Sequence, residues 1–161
     1  MSQEAIDREA RTSKRTRVLG KEARCEVCGW AGLEALTTGP DGVRCYECHA
    51  AGRGRTTTER HHIMGKANDP TTVQVPGNLH RGLSDRQMDW PSELRTNAER
   101  DPLVWLAQAL RGLTDQLAWW VAVLDGLSRW LASLSMALRE RHGAVWEAEL
   151  GVPSLWEAVG R

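Results

Sequence analysis

The chain has no excess charge of either sign: 21 Lys and Arg stand against 21 Asp and Glu in 161 residues. Without a global basic field the sum does not advertise a polyanionic partner, and without an acidic excess it does not advertise a basic one. The first 24 residues lack the apolar core of a secretory signal, and neither a lipidation box nor a C-terminal address is present. These absences lead to the expectation of a cytoplasmic protein. Long uncharged apolar runs are lacking as well. Asp115, Asp125 and Arg129 interrupt the apolar stretches near the C-terminus, so none reaches the ~18 to 20 uncharged residues of a membrane span, and no membrane partner is expected. Cysteine is sparse, with four in all. In a reducing compartment such residues read as thiols or metal ligands rather than disulfides.

What is present is unevenly distributed. The length suits one domain, or a small module with a helical appendage. Residues 11 to 24 carry six basic side chains against Glu22 alone, whereas residues 101 to 161 carry five basic and seven acidic ones. Residues 1–24 therefore read as a flexible basic leader.

The cysteines fall as Cys25-Glu26-Val27-Cys28 and, after sixteen intervening residues, Cys45-Tyr46-Glu47-Cys48. This is the two-knuckle spacing of a tetrahedral four-thiolate zinc site. Two residues between ligands let both sulfurs bend towards one ion, and Gly29 can supply the positive φ the turn wants. Gly39-Pro40-Asp41-Gly42 marks a hairpin turn that would bring the knuckles together. Cys45-Tyr46-Glu47-Cys48-His49 also satisfies a c-type haem attachment pattern, but the matching pair upstream and the missing export signal weigh against it. No βαβ pattern surrounds either pair to support a thioredoxin-like redox site. A zinc ribbon over residues 25 to 48 holding structural Zn2+ is expected.

Residues 59 to 85, ERHHIMGKANDPTTVQVPGNLHRGLSD, hold three of the five histidines. Glu59 to Ile63 reads as a short strand, Asn68-Asp69-Pro70 as a turn, and TTVQV as a second strand. Ser84 suits the N-cap of a helix over the following residues. The order is strand, loop, strand, helix. Adjacent histidines at a strand end, an asparagine some fifteen residues later and then a helix could together hold one divalent ion and one activated water.

The segment resembles an HNH endonuclease, a member of the ββα-metal nucleases. The resemblance rests on His61-His62-Ile63, the Gly65 to Asp69 loop, and Pro76-Gly77-Asn78-Leu79-His80-Arg81 leading into Leu83-Ser84-Asp85. It covers residues 59 to 90, or 25 to 90 with the zinc ribbon in front. It implies that His62 is the general base acting on the attacking water and that His61 is a metal ligand. It further implies that Asn78 braces the metal loop and orients the base. The family's third position falls on Gln87, where His or Asn is usual. Asp85 and Gln87 are the candidate remaining ligands, and His80 is a site residue for phosphate or metal. A catalytic divalent ion such as Mg2+ and a DNA substrate follow from the same resemblance. Modules of this kind occur in phage, mobile-element and defence proteins of bacteria. Arg60, Lys66 and Arg81 are candidate phosphate clamps.

From Leu103 the apolar residues recur at steps of three and four: Leu103, Leu106, Leu110, Leu113, Leu117, Trp120, Leu124, Leu127, Leu131, Leu134 and Leu138. This seven-residue repeat describes a helix that keeps one seam against a partner. Asp101-Pro102 makes a good start for it. Gly112 and Gly126 weaken it, so the region 101–161 is expected as one long helix or a helical hairpin that packs on the module or pairs protomers in a homo-oligomer. Six of the eight tryptophans follow residue 100, and several lie off the seam, which implies a second apolar surface. Gly143 should close the region, with a short last helix after Pro153.

The expected fold is α+β: a zinc ribbon and HNH module over residues 25–95, followed by a helical tail. The expected activity is metal-dependent hydrolysis of DNA phosphodiester bonds. The alternative is a catalytically inactive zinc-ribbon protein that binds nucleic acid or serves assembly.

Overall fold

Three glycines set the turns on which the N-terminal half is built. Gly29, Gly42 and Gly65 have φ of 76°, 85° and 84°, a backbone region that side chains disfavour. The first follows Cys28 and closes the turn back onto Cys25, the second follows Pro40-Asp41 in a hairpin, and the third turns the chain out of the histidine strand. The computed structural model describes residues 2–144 and 146–151. The last helix expected after Pro153 lies outside the described residues.

The described residues are 58% helical with two small antiparallel sheets, a mixture compatible with α+β. Helix α1 spans Gln3–Leu19. A 3-10 turn at Leu33–Ala35 leads into β1 (Leu36–Gly39), which pairs with β2 (Gly42–Cys45) in the register Leu36 to Cys45. Helix α2 (Tyr46–Ala51) follows directly. Strands β3 (Thr58–His62) and β4 (Thr72–Pro76) pair with His61 opposite Val73 and His62 opposite Thr72. Helix α3 (Gly77–Met88) then packs on β3, and α4 (Ser92–Arg95), α5 (Pro102–His142) and α6 (Trp146–Glu149) complete the described chain.

Residues 3–19 depart from the expected flexible leader. Gln3–Leu19 is helical, with Ser2 Oγ accepting the Ala5 N–H as N-cap. It buries no residue fully, so little hydrophobic free energy holds it. Arg15 instead makes paired hydrogen bonds of 2.8 and 2.9 Å to Asp85 on α3, and Arg11 reaches both Asp85 and Asp89. These are half-buried, forked guanidinium–carboxylate contacts, the strong kind of ion pair.

Helix α3 starts at Gly77, seven residues before the expected Ser84. A Cβ on Gly77 would run into the Tyr46 ring and the Thr57 carbonyl, and its own N–H donates to that carbonyl at 2.8 Å. The next N–H of the helix, on Asn78, is satisfied by Glu47 of α2. A cap delivered from another element leaves no local signature.

The chain divides between Gln116 and Leu117 into two units. Helix α5 runs unbroken from Pro102 to His142, so the hairpin alternative is not realised at Gly126. Asp101 Oδ1 accepts from the N–H groups of Leu103 and Val104, and Gly143, with φ of 81°, ends the helix by donating to the Arg139 carbonyl at 2.8 Å. Within the first unit, α5 is fixed on three residues. Gly112 lies so close to Ile63 that a Cβ would strike its carbonyl. The fully buried Gln108 donates to the Leu94 carbonyl at 3.1 Å, and the buried Asp115 accepts the Trp90 indole N–H at 2.8 Å. Gly112, expected only as a weak point, is thus a close-approach position.

By length and composition α5 is apolar enough to cross a membrane. The charges that break the uncharged run do not disqualify it on that measure. A helix of this kind is compatible with a packed helix or a membrane span, and by itself it does not support a cytoplasmic location.

Candidate metal centre and histidine cluster

The four cysteines converge. Cys25 ends the chain's approach from α1, and its N–H and C=O bond to the Trp30 carbonyl and the Gly29 N–H, both at 2.8 Å, closing the first knuckle. Glu26 clamps this knuckle to the hairpin, its N–H donating to the Val43 carbonyl and its carboxylate accepting the Val43 N–H. Cys45 closes β2 and caps α2, its sulfur accepting the Cys48 N–H at 3.4 Å. The four Sγ atoms all lie within 4.8 Å of one another, and Cys28 and Cys45 sulfurs are 3.6 Å apart. A tetrahedral zinc with ~2.3 Å bonds holds its sulfurs ~3.8 Å apart, so the donor set fits such an ion.

No disulfide joins the four cysteines. Burial opposes the thiolate at Cys25, but N–H donors from its own knuckle and from Cys45 pull its pKa down to about 6. Burial and the neighbouring sulfurs push Cys48 the other way. Sulfurs this close can all be ionised only around a cation. The four cysteines could therefore hold a metal ion such as zinc, in a shell with no place left for water. Among the described residues no other group of three or more His, Cys, Asp or Glu side chains brings its ligand atoms so close.

The histidines occupy both faces of β3. His62, half-buried at the strand end, sets its Nδ1 3.0 Å from the Asp69 carbonyl. A carbonyl can only accept, so Nδ1 carries a proton in this contact and Nε2 is left unengaged by it. The intervening loop is braced by Asn68, whose side-chain amide donates to the Met64 carbonyl at 2.7 Å and to the Arg95 carbonyl at 3.2 Å. Asp69 Oδ1 accepts the Thr71 N–H at 2.6 Å.

His61 faces α3 and is 3% exposed. Burial, with His80 and His62 nearby, lowers its pKa to about 4, so the ring is neutral. His80 meets it edge to face, with ring centroids 5.4 Å apart, and its Nδ1 lies 2.8 Å from Glu59 Oε2. Burial lowers the His80 pKa, while the Glu59 charge works in the opposite direction. Glu59 Oε1 accepts from Tyr46 Oη and from Arg81, whose guanidinium also lies 4.4 Å over the Tyr46 ring.

The remaining residues implied by the resemblance do not assemble around His61. Asp85 lies on the side of α3 that meets α1, where Arg15 and Arg11 outweigh burial and keep its carboxyl below the usual range. Gln87 does reach the His61 ring, 3.4 Å from Nε2, but with its amide nitrogen. That nitrogen donates to the His62 carbonyl at 2.6 Å and the Ile63 carbonyl at 3.2 Å. Asn78 touches neither His62 nor the 65–69 loop by a hydrogen bond. Its Oδ1 accepts the Glu47 N–H at 3.1 Å, and its own N–H donates to Glu47 Oε1 at 2.9 Å, tying α3 to the second knuckle. Arg81 is engaged with Glu59, whereas Arg60 and Lys66 are exposed.

Sequence reasoning missed Glu47, Glu59 and Asn68. Glu59 was open to discovery, since it stands two residues before His61 on the same strand face. Glu47, inside the second knuckle, offered no comparable signal. A groove of about 440 Å3 beside the 65–68 loop is lined by Arg11, Lys66, Asn68, Gln87 and Arg95. A roomier one of about 470 Å3 lies between α1 and β1, away from the histidines. No protein-family model, curated protein or solved structure matches the chain.

Proposed function

We propose that the chain is an endonuclease that hydrolyses DNA phosphodiester bonds, built on an HNH-type module stiffened by structural zinc. The observation that carries this reading is the His62–Asp69 contact. A ring whose Nδ1–H is tied to a backbone carbonyl presents a free Nε2 in fixed orientation, as a general base requires. In the proposed step His62 Nε2 takes a proton from water, the water oxygen bonds to phosphorus, and the opposite P–O bond breaks. The leaving oxygen takes its proton from solvent. Lys66 and Arg95 beside the groove and Arg60 on β3 offer the cations that a polyanionic backbone needs, despite the neutral sum. The four cysteines hold Zn2+ as a structural ion and take no part in the chemistry.

The residues present do not fit the catalytic Mg2+ that the resemblance implies. Asp85 is committed to two arginines, and Gln87 turns its amide nitrogen to His61. No step is therefore derived through that ion. The same commitments favour a second reading, a nucleic-acid-binding or assembly protein without catalysis.

The test is cleavage of supercoiled plasmid by the purified protein with Mg2+, Mn2+, Ni2+ or no added metal, beside His62→Ala of equal zinc content. Cleavage lost in the variant supports the nuclease. Absence of cleavage under every condition, with DNA still retarded in a gel, supports the binding reading.

A further inference from the structure

We propose that the leucine seam of α5 binds the same seam on a second copy of this chain. The inference is independent of the nuclease reading. The seam comprises eleven positions repeating every 3.5 residues over five heptads, ten of them Leu and one Trp120. A straight helix drifts ~20° per heptad against such a repeat, so a seam kept in phase this long suits a partner helix that coils with it. Ten of the eleven side chains are 38 to 75% exposed in the single chain.

The charges distinguish the occupant. With the seam residues at heptad positions a and d, Arg111 and Asp125 fall at b, and Asp115 and Arg129 at f. Between Leu103 and Leu138 no charge falls at a, d, e or g. One side of the helix is therefore free of charge, and the other carries the Asp125–Arg129 ion pair. Water on one side and a protein partner on the other account for this division. A bilayer accounts for it less well, because the Asp125 and Arg129 charges would then stand in hydrocarbon.

Within the first unit, which ends at Gln116, the seam residues are left uncovered. The unit's contacts with α5 use Gln108 and Asp115 at f and Gly112 at c, all buried, while Leu103, Leu106, Leu110 and Leu113 are exposed. Position f lies opposite the a and d line.

A second copy fits the exposed side. Leucine knobs and leucine holes are mutually complementary, and the flanking e and g positions include Ala107, Ala109, Thr114, Ser128, Ser135 and Ala137, which neither crowd nor repel. A different partner would be selected by charged e and g positions, which are missing. At roughly 100 Å2 of apolar surface per seam residue, each chain offers about 1,000 Å2, above the ~800 Å2 per partner of a standard interface.

The experiment is the mass of the full, zinc-loaded chain by light scattering and sedimentation in detergent-free buffer at micromolar concentration. At least twice the chain mass is expected, falling to the single-chain mass in Leu124→Glu/Leu127→Glu with zinc content unchanged. A second measurement avoids any folding defect of that variant. Under mild oxidation Leu124→Cys, on the seam near mid-helix, should crosslink between chains, and Ala122→Cys, at f, should not. A monomeric wild type overturns the proposal. So does equal crosslinking of the two variants, or a chain that stays dispersed only in detergent or phosphatidylcholine vesicles.

Discussion

Glu47 and Asn78 exchange two hydrogen bonds, each donating its backbone N–H to the other's side-chain oxygen, at 3.1 and 2.9 Å. The exchange joins the first turn of α2, which carries the second cysteine knuckle, to the first turn of the helix that follows the histidine hairpin. Asn78 is 2% exposed. Removing its side chain leaves the Glu47 N–H without its acceptor, so Asn78→Ala should cost about 1 to 3 kcal/mol. Glu47→Gln keeps the acceptor oxygen and should cost less. Urea unfolding of the zinc-loaded protein measures both, and an unaltered midpoint in Asn78→Ala would remove the pair from the account of stability.

Two helical glycines of α5 should respond oppositely to the same substitution. Gly112→Ala forces a methyl into the Ile63 carbonyl and should destabilise by ~1 to 3 kcal/mol, although alanine is the better helix former. Gly126 has nothing within 4 Å of the same methyl, so Gly126→Ala should stabilise by ~0.5 to 1 kcal/mol. Thermal midpoints of the two variants check this, and a shift in the same direction for both would contradict it.

Acid should act through His61. Its folded pKa of about 4 lies below the ordinary ~6.5, so between those values the unfolded chain binds the extra proton. Stability from this group is complete above pH ~6.5 and is lost as pH falls towards 4, about 3 kcal/mol in all. The imidazole resonances of His61 should stay those of a neutral ring at pH 5. A midpoint near the ordinary value, read by NMR, would mean that the ring is wet.

The metal centre has a stoichiometric readout. The chain should hold one zinc, and Co2+ in its place should give the thiolate charge-transfer and d–d bands of a tetrahedral four-sulfur site. Cys28→Ser should weaken binding and unfold the β1–β2 hairpin, because metal affinity here is folding free energy. A wild type that stays folded after chelation would show that the hairpin stands without the ion.

Much of this architecture could be read from the chain because its cause is local. Gly39-Pro40-Asp41-Gly42 makes the hairpin, Asp101-Pro102 starts α5, Gly143 stops it, and alternation marks β3 and β4. What escaped depends on partners far along the sequence. Arg11 and Arg15 find Asp85 and Asp89 some seventy residues away, which orders a helix that composition presents as a solvated leader. The start of α3 moves to Gly77 because Glu47 supplies its cap. Asp85 was a candidate ligand on the resemblance alone, and its engagement by Arg11 and Arg15 of α1 is invisible to local sequence. Asn78 likewise carried a suggested role that its actual hydrogen bonds assign elsewhere.

Trp90 is 1% exposed, and its indole N–H rests on the Asp115 carboxylate. Trp105, Trp120 and Trp130 are about half exposed. An indole sealed from solvent beside a fixed negative charge emits differently from its wetted neighbours and resists collisional quenchers. The first turns of α5 therefore carry their own optical gauge: a detachment of Asp115 from Trp90 would register as a change in the unquenched emission, before the rest of the molecule has unfolded.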